Sequence, residues 1–105
     1  MVHFIALYKL QKHVDDAIID EMTRASRSQL LRIQEVHNVR SGRRIDESMS
    51  YPFFLAIDFE SLEKYRIFRE DPIWVKFEHD QILPNTLMPM ELLYETEPGK
   101  KIKYS

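Results

Sequence analysis

The chain has 105 residues, a formal net charge of −2 and no cysteine. That length fits one domain with its own core, and the missing cysteine excludes disulfides, thiolate metal sites and a cysteine nucleophile. The charge balance argues against general attraction to nucleic acid or anionic membranes, no apolar run approaches the ~20 residues of a membrane helix, and no leader pattern opens the chain, so a soluble, cytoplasmic protein is expected.

Residues 2–10, VHFIALYKL, predict a first strand: β-branched and aromatic residues dominate, and both alternating faces are largely apolar. Asp15 is placed to cap a following helix, with Val14 and Ile19 spaced as a hydrophobic staple. Ile18, Met22, Ala25, Leu30 and Ile33 then recur at helical spacing, and Asp20 and Arg24 are spaced as an i, i+4 pair. Residues 36–44 predict a more polar strand at a sheet edge, where Gly42 suits a bulge. Its Arg40, Arg43 and Arg44 read either as a solvated edge or as an anion site.

The stretch 51–60, YPFFLAIDFE, predicts a strand apolar on both sides and broken only by Asp58. A strand with one wet face alternates cleanly, so layers are expected on both sides of this one. Ser61 follows as a helix cap, with Leu62, Tyr65 and Phe68 on one face. Asp71-Pro72 restarts the helix, because proline lacks the amide for a helix interior yet suits a first helical position. Trp74, Phe77 and Ile82 are expected to turn inward, Pro84 and Asn85 end the segment, and residues 86–97 supply the last strand.

The order strand, helix, strand, strand, helix, strand predicts an α+β, ferredoxin-like βαββαβ fold, an antiparallel four-stranded sheet with helices on one face. The domain is expected over residues 1–98, followed by a basic C-terminal tail over 99–105. Alternation assigns Phe4, Ala6, Tyr8, Phe54, Ala56 and Asp58 to the face without helices. So many large side chains exceed the apolar patch a monomer usually exposes, so a two-fold homodimer is expected.

The segments HFIALYK (3–9) and YPFFLAIDFES (51–61), with the Asp71-Pro72 break followed by Phe77, resemble the stress-responsive A/B barrel (Dabb) family over about residues 2–98. The resemblance implies a homodimer, a dimeric α/β barrel in which two four-stranded sheets face each other with helices outside. That family includes plant stress-induced proteins, an aromatic polyketide cyclase and bacterial proteins of unknown role. The cyclase handles protons with a Tyr and a His on its second helical region; ungapped alignment on Ser61 and Pro72 places Phe68 and Trp74 there. Phe has no ionisable group and the indole N–H only donates, so that reaction does not carry over. His3 matches a polar residue lining the cyclase pocket.

His3 and His79 are therefore the candidates for proton chemistry, against the plainer readings of a structural and an exposed histidine; His13 and His37 read as solvated. With Ile5 and Leu7, His3 is expected to point toward the helices. Asp58 needs a partner on an apolar face, from Tyr8, Arg40 or a symmetry-related group. No metal-ligand spacing or glycine-rich phosphate loop occurs, and no cofactor or metal is expected. The expected function is binding of a small apolar or aromatic molecule between sheet and helices. Ile5, Leu7, Phe53 and Leu55 would line that pocket from the strands, and Tyr65, Phe68, Trp74 and Phe77 from the helices. The alternatives are a polyketide-cyclase-like, isomerase or lyase enzyme using His3, and a relative of haem-degrading monooxygenases using His79.

Overall fold

The computed structural model describes residues 1–96; the expected basic tail and residue 97, the last of the expected final strand, lie outside them. In chain order come β1 (Val2–Tyr8), α1 (Asp16–Leu30), β2 (Asn38–Arg43), β3 (Phe53–Phe59), α2 (Leu62–Arg69), α3 (Pro72–Phe77) with a π-helical turn (Glu78–Ile82), and β4 (Met90–Glu95). The strands form one antiparallel sheet in the order β2-β3-β1-β4. This is the expected ferredoxin-like α+β arrangement.

Local chemistry accounts for the helix boundaries. The Asp15 carboxylate accepts from the Ile18 amide at 3.0 Å, Ser61 Oγ from the Lys64 amide at 3.2 Å, and the Asp71 carboxylate from the Ile73 amide at 2.8 Å. Each satisfies a first-turn donor that has no partner within its helix. Pro72 opens α3 directly after its Asp cap, as the sequence predicts. α1 stops at Leu30, short of Ile33; tight turns carry the chain on and still bury Ile33.

Three local expectations are corrected. Asp20 pairs with Arg43 of β2 rather than with Arg24, which turns to Glu21. Gly42 sits in unbroken register opposite Phe54 and makes no bulge; a Cβ there would lie 3.4 Å from the Phe54 ring. β4 begins at Met90 rather than at residue 86: Pro89 has no amide for a ladder, and Thr86 forms only an isolated bridge with Leu10.

Cross-strand register sorts the two faces. Phe4 lies opposite Ile57, Ala6 opposite Leu55 and Tyr8 opposite Phe53, all on the helix-covered side. His3 lies opposite Asp58, Ile5 opposite Ala56 and Leu7 opposite Phe54, on the open side. Phe54, Ala56 and Asp58 therefore stand where expected, whereas the β1 assignment is inverted. Phe4, Ala6 and Tyr8 face the helices, and His3, Ile5 and Leu7 do not. The reason is visible in the packing: the Phe4 ring meets Tyr65 at 5.6 Å, Trp74 at 6.1 Å and Phe68 at 6.4 Å between centroids. Two apolar faces gave alternation nothing with which to choose between them.

The core is an aromatic layer between sheet and helices. Phe68 sits at its centre, 4.7 Å from Trp74 and 4.9 Å from Phe59 between centroids, and is fully buried. Phe68→Ala should lower unfolding free energy by about 3–5 kcal/mol, the usual cost of emptying a buried aromatic site, in urea denaturation. Tyr8 supplies a pH-dependent component. Burial, reinforced by the nearby Glu91 and Glu78 and opposed by Arg69, raises its phenol well above the ordinary 10.0. Above that ordinary value the unfolded chain loses the proton while the fold keeps it, so stability falls as pH rises, by at most about 1.4 kcal/mol per pH unit. Tyr8→Phe should flatten that decline in paired denaturant melts between about pH 9 and 11.

Candidate functional site

Every strand contributes to the open sheet face. Alternation and register bring together His3, Ile5 and Leu7 of β1, Phe54, Ala56 and Asp58 of β3, Asn38, Arg40 and Gly42 of β2, and Met90, Leu92 and Tyr94 of β4. The middle is apolar, while one end carries a polar cluster. There the Asp58 carboxylate, only 12% exposed, accepts from His3 Nδ1 at 2.7 Å and from Arg40 Nη2 at 3.4 Å. His3 Nε2 reaches Thr96 Oγ1 at 3.1 Å, and that hydroxyl also lies 3.3 Å from the Met1 carbonyl. Arg40 is an expected partner of Asp58; Tyr8 is not, because it occupies the opposite face.

A carboxylate only accepts, so its bond to His3 places a proton on Nδ1, while Nε2 faces the Thr96 hydroxyl, which can donate to it or accept from it. The arrangement can fix a tautomer, stabilise an imidazolium and move a proton at Nε2. The sequence alone does not predict the pairing of His3 with Asp58. The available signal was their position as the polar residues of two otherwise apolar strands, but only register could join them.

The remaining candidates scatter. His79 is exposed on the π-helical turn, with Nδ1 3.1 Å from its neighbour Asp80. Asp80 also accepts from Lys76 at 2.8 Å, and these two contacts hold its carboxyl below the ordinary value, with that from Lys76 the larger. His13 Nε2 meets Asn85 Oδ1 at 3.0 Å, and His37 is exposed with its amide donating to the Asp58 carbonyl. The three arginines diverge: Arg40 goes to Asp58, Arg43 to Asp16 and Asp20 of α1, and Arg44 to the Met49 carbonyl. Among the described residues, no three His, Asp or Glu side chains converge as metal ligands would. Nor is any described helix long and apolar enough to cross a membrane.

Of the residues expected to line a pocket, Phe53, Leu55, Phe68, Trp74 and Phe77 pack into the core, and Tyr65 is half-buried against it. Ile5 and Leu7 stand on the other side of the sheet. A groove of about 200 Å³ does open where α2 meets β4, lined by Val2, Leu62, Leu93, Tyr94 and Glu95. Beside the core, Arg69 lies over the Phe4 and Trp74 rings, 5.5 and 5.7 Å from their centroids, and reaches Glu91 Oε2 at 3.5 Å. Arg69 follows Tyr65 by one helical turn on α2, the only sequence signal that it shares the face of the aromatic rings.

No family model matches the sequence, and no curated protein matches it in sequence. Solved structures match throughout the fold. A Dabb family protein with a ferredoxin-like fold from Mesorhizobium loti superposes with a TM-score of 0.78 at 18% identity, over 91% of this chain and 96% of its own. A dimeric ferredoxin-like protein of unknown function from Thermobifida fusca gives 0.80 at 17% identity, over 90% of each chain. The hydroxynitrile lyase of Passiflora edulis gives 0.78 at 13% identity, over 95% of this chain and 96% of its own. The chain therefore has the ferredoxin-like fold of the Dabb family protein, the fold implied by the residues of β1 and β3.

Proposed function

We propose that the protein works as a homodimer in which the open sheet faces of two copies meet as an A/B barrel, and that the dimer binds a small apolar or aromatic molecule. The observation that carries the dimer is the open face itself. Ile5, Leu7, Phe54 and Leu92 are only half-buried there and Met90 is 43% exposed, and no described helix lies over them. A stable interface covers roughly 800 Å² per partner, mostly apolar at its centre, and a face of this composition suits a second copy of itself. The Thermobifida fusca protein of the same fold is dimeric, which supports a homodimer here.

For the ligand, the groove between α2 and β4 offers apolar walls from Val2, Leu62 and Leu93 with the polar groups of Tyr94 and Glu95 at its rim. Its size suits a small ring or short chain. An enzyme of lyase or isomerase type is the second reading, favoured by the contact between His3 and Asp58.

Phe54→Glu should convert the dimer to monomer or aggregate on size-exclusion chromatography, because a carboxylate at the centre of the face would be desolvated without a partner. An unchanged dimer would remove the face assignment. Screening small aromatic and aliphatic metabolites by thermal shift should yield a compound that raises the melting temperature in a concentration-dependent way. Leu93→Glu should abolish that shift while the protein remains folded.

A further inference from the structure

We infer that the groove between α2 and β4 takes a small apolar monocarboxylate, with the carboxylate on the Arg69 guanidinium and the Tyr65 hydroxyl and the apolar body along Leu62 and Leu93. The site is the one proposed for the ligand, so this assignment rests on that reading; it needs neither the dimer nor His3. Arg69 is then the residue that selects the ligand by its charge.

Register places the guanidinium at the inner end of the groove. Leu93, which lines the groove, pairs with Phe4, and the Arg69 guanidinium lies over the Phe4 ring, 5.5 Å from its centroid. The Tyr65 ring lies against the same Phe4 at 5.6 Å between centroids. On α2, Leu62, Tyr65 and Arg69 follow one another at helical spacing, so one face of the helix passes from an apolar wall to a phenol and then to a guanidinium. A short apolar acid lying along that face meets surfaces of its own kind in the same order.

The guanidinium is held in position without being saturated. Two buried rings, Phe4 and Trp74, lie under it at 5.5 and 5.7 Å. Its contact with a carboxylate is weaker: Glu91 Oε2 stands 3.5 Å from Nη1, against about 2.7–2.9 Å for a close charge-assisted bond. The Arg69 and Glu91 side chains are 33% and 36% exposed, so Glu91 can turn to water. Arginine offers its N–H donors as a planar fork, which matches the two oxygens of an incoming carboxylate. The field there has the sign an anion needs, because at Tyr65 the charge of Arg69 outweighs that of Glu91. Glu95 lines the outer part of the groove, beyond Leu93, and repels a carboxylate placed at that end. The ligand therefore enters with its charge directed inward, toward Arg69.

Hexanoate, hexanamide and hexylammonium share one apolar chain and differ in the charge at its end. In calorimetric titrations hexanoate should bind at least ~10-fold more tightly than hexanamide, the low end of what hydrogen bonds to a charged group contribute, and hexylammonium more weakly than hexanoate. Trp74 is the single tryptophan of the chain and lies under the guanidinium, so its emission should change over the same hexanoate concentrations. Arg69→Gln should bring hexanoate down to the affinity of hexanamide. Arg69→Lys, which keeps the charge and loses the fork, should fall between. Glu91→Gln removes the competing carboxylate and should tighten hexanoate binding about 2- to 5-fold, the worth of an exposed ion pair, while leaving hexanamide unchanged.

Equal affinity for hexanoate and hexanamide overturns the assignment, as does tighter binding of hexylammonium. So does hexanoate affinity unchanged in a folded Arg69→Gln, or weakened in Glu91→Gln. Thermal melts establish that each variant is folded, and Glu91→Gln, which alters only a partly exposed pair, carries the test if Arg69→Gln does not fold. Leu93→Glu separates the carboxylate from the groove itself. Hexanoate and hexanamide bound alike, and both lost in Leu93→Glu, end the carboxylate and leave the groove standing; no binding of either, or binding indifferent to Leu93→Glu, ends both.

Discussion

The register between β1 and β3 is the constraint on which the rest of the structure depends. It pairs Phe4 with Ile57 and, one residue earlier, His3 with Asp58. A slip by one residue would exchange the faces of β1 entirely. Phe4 and Tyr8 would leave the aromatic layer, and an imidazole would enter it with no carboxylate within reach. The cost on each side reinforces the other: losing the burial of two aromatic side chains amounts to several kcal/mol, and Asp58 would lose its 2.7 Å partner and keep only the longer contact with Arg40. The aromatic layer and the polar pair thus hold the same alignment from opposite faces of one sheet.

That division also assigns different physical roles to the two faces. The helix side is filled by rings, with Phe4, Phe59 and Trp74 each against Phe68, Phe4 also against Trp74, and Arg69 laid across Phe4 and Trp74. Close packing of this kind leaves little room for a side chain to change position without a cavity or a clash. On the open side Ile5, Leu7, Phe54 and Leu92 stay half-buried. Gly42 leaves room for the Phe54 ring, since any side chain there would touch it, and the polar groups gather at one end instead of interrupting the apolar middle.

Much of this was legible in the sequence because it is encoded locally. Asp15, Ser61 and Asp71 announce their helices within three residues, and Pro72 marks the restart for a covalent reason, its missing amide. β3 was oriented correctly because Asp58 labels one of its faces. β1 carries no comparable label: His3 is compatible with either side, and Ile5, Leu7, Phe4 and Tyr8 are all apolar. Its orientation depends on strands and helices more than fifty residues away, which alternation does not encode. The same limit explains the pocket. Phe53, Leu55, Phe68, Trp74 and Phe77 were rightly placed between sheet and helices, but composition does not distinguish rings that line a space from rings that fill it.

The contact between His3 and Asp58 is informative because stability alone does not require it. A buried carboxylate with a histidine contributes little net stability compared with two apolar residues of the same volume, since desolvation offsets most of the attraction. Pairing β1 to β3 could have been achieved with another apolar couple, as Ile5 and Ala56 already do in the adjacent row of the same face. Retaining an ionisable couple there makes sense if it specifies register, handles protons, or does both with the same atoms. Register needs only a contact between the two side chains. The second ring nitrogen extends that contact to Thr96, just beyond β4, so that one imidazole links β1 to the chain on both of its neighbouring strands.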